Sequence, residues 1–182
     1  MNSKKIWPIM ILLGLLSVMA VASVMAAEQT KEEKITRAMQ AAPELIGQNA
    51  TIMEADGTIL RQGSNGWTCL PNTGPGATHP MCNDSVFMGI MDALSKKAEF
   101  KTDRIGISYM LAGDDNVNNA DPFDTKQDPG EVWVQEGPHL MIVVPDPKML
   151  EGISDDPTNG GTYVMWKNTP YVHLMIPVTP AK

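Results

Sequence analysis

The tetrapeptide His-Leu-Met-Ile occurs twice, at 139–142 and at 173–176, and each copy runs on into valine and proline. Both copies sit in short apolar runs bounded by prolines and read as buried strands. Residues i and i+2 of a strand share a face, so His139 stands beside Met141 and His173 beside Met175. An imidazole nitrogen next to a thioether sulfur suits copper, and the thioether favours Cu(I) in particular. If the two strands are neighbours, His139, Met141, His173 and Met175 converge on one face, with Met165 close by on an adjoining strand. The alternative is a pair of similar core strands, each with its histidine satisfied by a hydrogen bond.

Three other groupings bear on chemistry. Cys69 and Cys82 are the two cysteines of the chain. In an exported protein so close a pair reads as a disulfide, contributing about 3 kcal/mol by closing its loop. A metal site built from Cys69, His79 and Cys82 would need reduced thiols and offers only three ligands, so the disulfide is the expectation. In the polar stretch 114–131, Asp114, Asn116 and Asn118 have the alternating oxygen spacing of a calcium loop. Asn119 and Thr125 stand where such a loop has glycine and glutamate, and a solvated acidic loop is the alternative. Trp67, Trp133, Trp166 and Tyr171 lie near glycine, proline and asparagine, where an aromatic side chain is often left partly exposed for a small ligand or a protein partner. Packing at the edge of the core is the other use of such residues. No nucleophile elbow, zinc-protease helix or phosphate loop occurs. In a hydrolase or lyase His139 or His173 could serve as a general base beside a carboxylate such as Asp114 or Asp146, although nothing in the spacing requires it.

The elements that must position these residues are short. Thr30 to Glu33 is a capping box ahead of Ile35, Ala38, Met39 and Ala42, which predicts a helix over about 31–42, stopped by Pro43. Asp56-Gly57 between two β-prone runs predicts a hairpin over 50–61. Asn83 or Asp84 caps a second helix to about Lys97, with Val86, Phe87, Ile90, Met91 and Leu94 on its buried face. Residues 104–111 read as a strand, and 146–152 as a helical turn begun by Asp146-Pro147 and ended by Gly152. The segments 163–166 and 171–178 read as a closing hairpin. Two main helices, about six strands and long loops make one α+β domain with a mainly antiparallel sheet.

Residues 1–27 have the parts of a secretory signal: Lys4 and Lys5, an apolar run from Ile9 to Ala22, and small residues at Ala26 and Ala27. The predicted organisation is a signal peptide at 1–27 and a single domain at 28–182, in the periplasm or secreted. Removing Lys4 and Lys5 takes the formal net charge from −7 to −9. So acidic a chain is repelled by phosphate backbones and anionic lipid, which argues against nucleic-acid and membrane partners.

At 63–69 (Gly-Ser-Asn-Gly-Trp-Thr-Cys), 109–114 (Tyr-Met-Leu-Ala-Gly-Asp), 121–123 (Asp-Pro-Phe), 137–141 (Gly-Pro-His-Leu-Met) and 169–173 (Thr-Pro-Tyr-Val-His) the chain resembles a group of exported bacterial proteins with no established activity. The resemblance spans most of the mature chain and implies export and a shared single domain. His173-Leu174-Met175 is also similar to the His-x-Met pair of periplasmic copper chaperones, although the other His and Met spacings of that family are not reproduced. The expectation is therefore an exported, non-catalytic binding or interaction domain. A copper module built on the repeated His-x-Met strands and a hydrolase or lyase are the alternatives.

Overall fold

The computed structural model describes residues 29–74 and 76–178; the predicted signal peptide lies outside them. The chain opens with α1 (Lys31–Met39), α2 (Glu44–Asn49) and the strands β1 (Thr51–Met53) and β2 (Ile59–Arg61). Next come β3 (Thr68–Leu70), β4 (Met81–Asn83), α3 (Ser85–Lys96) and β5 (Gly106–Met110). Two short strands, β6 (Val117–Asn118) and β7 (Trp133–Val134), precede β8 (His139–Val143), a 3-10 turn at Pro147–Leu150, β9 (Tyr163–Met165) and β10 (His173–Pro177). Eight strands form one sheet in the order β2-β1-β3-β4-β5-β8-β10-β9, and β6 pairs with β7 apart from it. Every pairing is antiparallel except β1 with β3. This is the expected α+β architecture.

The α1 capping box forms as read: the Glu33 amide donates to Thr30 Oγ1 and the Thr30 amide to Glu33 Oε2. Sequence reading ran α1 three residues too far and did not find α2, which starts directly behind Pro43. Pro43 is the N-cap of α2, with φ −51° and ψ 144°, so the residue that ends the α1 run stands at the start of the next helix. The strands β3 and β4 were also not foreseen. They are three residues each, too short for a period, and they are held by direct pairing of Cys69 with Cys82, whose sulfurs are bonded. The disulfide therefore staples two adjacent strands immediately ahead of α3.

Both faces of the sheet are covered, which is why β4 and β9 are buried at every position. On one face, α1 and α2 pack Ala38, Ala41 and Ala42 against Ile52 and the disulfide. Towards β9 the same face carries Leu150, Val164 and Val172. The other face lies beneath α3, whose Val86, Phe87, Ile90 and Ala93 meet Met81, Met110, Met141, Val143, Met165 and Met175. Gly106 allows this close approach, because a Cβ there would come within 2.7 Å of Val143 Cγ1 and 2.8 Å of Val86 Cγ1.

Asp84 fixes the start of α3. One carboxylate oxygen accepts from the amides of Val86 and Phe87, the other accepts from the Ile107 amide at 2.9 Å, and the Asp84 amide donates to Ile107 O. Asp84→Ala would orphan helix-start donors and a strand donor together. We expect a loss of about 2 kcal/mol, read as a lower urea midpoint with an unchanged m-value.

Candidate functional site

The repeated tetrapeptides become adjacent antiparallel strands, β8 and β10, with Met175 directly opposite Met141. Burial alternates along both, so His139, Met141 and Val143 face α3 together with His173 and Met175, while Leu140, Ile142 and Leu174 face the other side. The register pairs Pro177 with His139, and one step beyond Leu174↔Ile142 it sets His173 against Val143. The two histidines therefore lie four residues apart along the ladder, about 14 Å between Cα atoms, with the methionine pair between them. The four residues share one face, but the methionines stand in its centre and the imidazoles at either end, so the two histidines do not converge on one point.

Each imidazole is held in the same way. His139 Nδ1 lies 2.7 Å from Gly137 O and His173 Nδ1 lies 2.9 Å from Tyr171 O, both carbonyls two residues upstream. A carbonyl oxygen only accepts, so each Nδ1 carries the hydrogen and each Nε2 is left with its lone pair. Both rings are essentially out of solvent, and neither Nε2 has a hydrogen-bond partner. Burial lowers the His139 pKa and takes that of His173 down to about 4, so both rings are neutral at neutral pH. Phe87 and Trp166 meet the His173 ring edge-on, with centroids at 6.1 and 4.9 Å.

The middle row of the face runs Asn83–Ser108–Met141–Met175–Tyr163 across five strands. Asn83 Oδ1 and Ser108 Oγ in this row are buried and unpaired as well. Four unpartnered polar atoms thus share one sheet face beneath one helix. An unmet buried donor or acceptor costs roughly 1–3 kcal/mol, so the face is expensive for an ordinary core. Neutral imidazoles with Nδ1–H donated to a carbonyl, Nε2 free, and thioethers alongside are what a soft metal ion requires.

A second cluster brings Asp114 and Asp115 together with His79. Its Nδ1 lies 3.0 Å from Asp115 Oδ1, and Asp115 also accepts from the Thr78 hydroxyl and amide. Burial works to raise the Asp115 pKa, but these hydrogen bonds outweigh it and hold the carboxylate below its ordinary range. Asp114 goes the other way, pushed up to about 6 by burial, with the Asp115 and Glu136 charges adding to the rise. Glu136 accepts from the Tyr163 hydroxyl at 3.1 Å, and together with burial this raises the Tyr163 pKa. A histidine oriented by a carboxylate beside an acid that titrates near pH 6 is an arrangement capable of general acid–base chemistry.

Of the four aromatic residues, Trp166 and Tyr171 join one core cluster and Trp166 Nε1 donates to the carbonyl of Asn118, the residue paired with Trp133, while Trp67 belongs to the other cluster. Trp67 is half-buried on the α1 side against Tyr109, and Trp133 donates to Glu131 Oε2. Trp166 caps the α3 face, and Tyr171 is a core residue whose hydroxyl donates to Ala98 O. In the 114–131 loop, Asp114 Oδ1 accepts from the Asp115 amide, and Asn118 Oδ1 accepts from the amides of Ala120 and Asp121. These oxygens shape the loop itself. Among the described residues no three His, Cys, Asp or Glu side chains are grouped so that they could hold a metal ion. Asp146, offered above as a carboxylate for a general base, instead caps the 3-10 turn by accepting from the Lys148 amide.

The folded state holds the Asp114 proton more tightly than the unfolded chain does. That contribution to stability is complete below pH 4 and is lost as pH rises through about 6. We expect stability to fall by on the order of 2 kcal/mol between pH 4 and pH 7 from this group alone. Asp114→Asn should flatten that part of the profile, measured by urea unfolding at each pH. An unchanged slope in the variant would assign the loss to other groups.

Compared with known protein families, with characterised proteins and with solved structures, the chain matches none.

Proposed function

We propose that the chain is an exported, non-catalytic binding module for the soft metal ion Cu(I), bound beneath α3 on the face that carries His139, Met141, His173 and Met175. The observation that carries this reading is the pair of buried imidazole Nε2 atoms, each with a free lone pair and each ring fixed through Nδ1 to a backbone carbonyl. In a metal site the second ring nitrogen plays this anchoring part, setting the tautomer and the direction of the ligating one. Neutral rings bind a metal without first losing a proton, and thioether sulfur needs no deprotonation at all. The directly opposed Met141 and Met175 put two polarisable sulfurs between the rings, which favours Cu(I) over zinc, calcium or magnesium. The disulfide and the N-terminal sequence pattern support export, and among the described residues no helix is long and apolar enough to cross a membrane.

The test is anaerobic competition for Cu(I) between the mature oxidised protein and a chromogenic Cu(I) chelator. Wild type is expected to withdraw copper from the chelator. His139→Leu/His173→Leu, close to histidine in size, should lose this ability while keeping its circular dichroism spectrum. Competition by wild type that persists undiminished in the double variant would rule out this face as the site, and absence of competition by wild type would rule out the function.

A further inference from the structure

Resting on the Cu(I) reading above, we propose that the face beneath α3 holds two equivalent metal positions, one formed by Met110, His139 and Met141 and the other by Met165, His173 and Met175. The strand registers generate this pairing. Met110 on β5 lies directly opposite His139, and Met165 on β9 lies directly opposite His173. Each histidine thus has one methionine two residues ahead on its own strand and one across the ladder on the outer neighbour. A local twofold axis through the Met141–Met175 pair, normal to the sheet, exchanges β8 with β10 and β5 with β9. It carries His139 onto His173, Met141 onto Met175 and Met110 onto Met165.

All six residues are buried on the same face: Met110, Met141, Met165 and Met175 belong to one core cluster, and both histidines are fully enclosed. Directly opposed side chains have Cβ atoms about 5 Å apart, within the combined reach of a methionine and a histidine toward one ion. One nitrogen and two thioether sulfurs make a three-donor set suited to Cu(I). Strand rise and spacing put the two sets on the order of 12 Å apart, far enough that each ion has its own ligands. The arrangement also accounts for the separation of the histidines, which is too wide for one ion to take both at about 2 Å. Met110 lies outside either tetrapeptide, and its part follows only from the β5–β8 register.

Titration of the mature oxidised protein with Cu(I), kept reduced by ascorbate, tests the stoichiometry. Wild type should bind two ions, and His139→Leu and His173→Leu one ion each. In the His173→Leu background, Met110→Leu should weaken the remaining ion at least tenfold, and Met165→Leu should leave it unchanged. These leucines nearly conserve methionine volume and keep the fold comparable. A wild type that binds one ion, lost in either single histidine variant, would keep the Cu(I) reading and overturn the two-position arrangement. Two ions insensitive to Met110→Leu in that background would also overturn it. Zero ions would overturn the Cu(I) reading itself.

Discussion

The antiparallel ladder between β8 and β10 fixes where every donor beneath α3 stands. Because Met175 pairs with Met141, the other residues of the two tetrapeptides fall symmetrically about that pair. A slip of β10 by one residue would turn His173 and Met175 to the opposite face, against Leu150 and Val164 and away from His139 and Met141. The outer ladders then bring Met110 and Met165 beside the two imidazoles. Gly106 and the Asp84 cap hold α3 down on this layer, and the disulfide secures the strand that leads into the helix. The candidate site and the fold therefore share the same set of contacts.

Burial sets the character of that layer. It keeps His139 and His173 neutral, and it makes each unpaired Nε2 costly. A core selected only for stability would do better with leucine or methionine at both positions, since an apolar residue of similar size leaves no orphaned atom. Coordination of a metal ion would offset that cost and stabilise the folded state by mass action. Methionine elsewhere in a core is an adaptable space-filler, and Met81 in β4 is of that kind. Its difference from Met110, Met141, Met165 and Met175 is position, since these four flank an imidazole or lie opposite one another.

The features visible in the sequence were those with a period or a cap. The repeated strands, the Asp56-Gly57 hairpin, the Thr30 capping box and the Asp84 cap were legible from local chemistry alone. The strands β3 and β4 were not, because three residues show no alternation and only the pairing of Cys69 with Cys82 defines them. Pro43 was read as a stop when it also begins α2. Within the site, the neighbour relation of His139 and Met141 follows from strand alternation. The antiparallel register that separates the histidines, and the roles of Met110 and His79, depend on strand order and on loops meeting across 37 residues of chain. Lone residues such as these carry no local signature.

X-ray absorption at the copper edge of the Cu(I)-loaded mature protein tests the central claim most directly. The account predicts a first shell of nitrogen and sulfur scatterers in a ratio of one to two with imidazole multiple scattering, and the same shell per ion in His173→Leu, which keeps one position. A shell of oxygen and nitrogen alone, without sulfur, would place copper away from the methionine pair and contradict it.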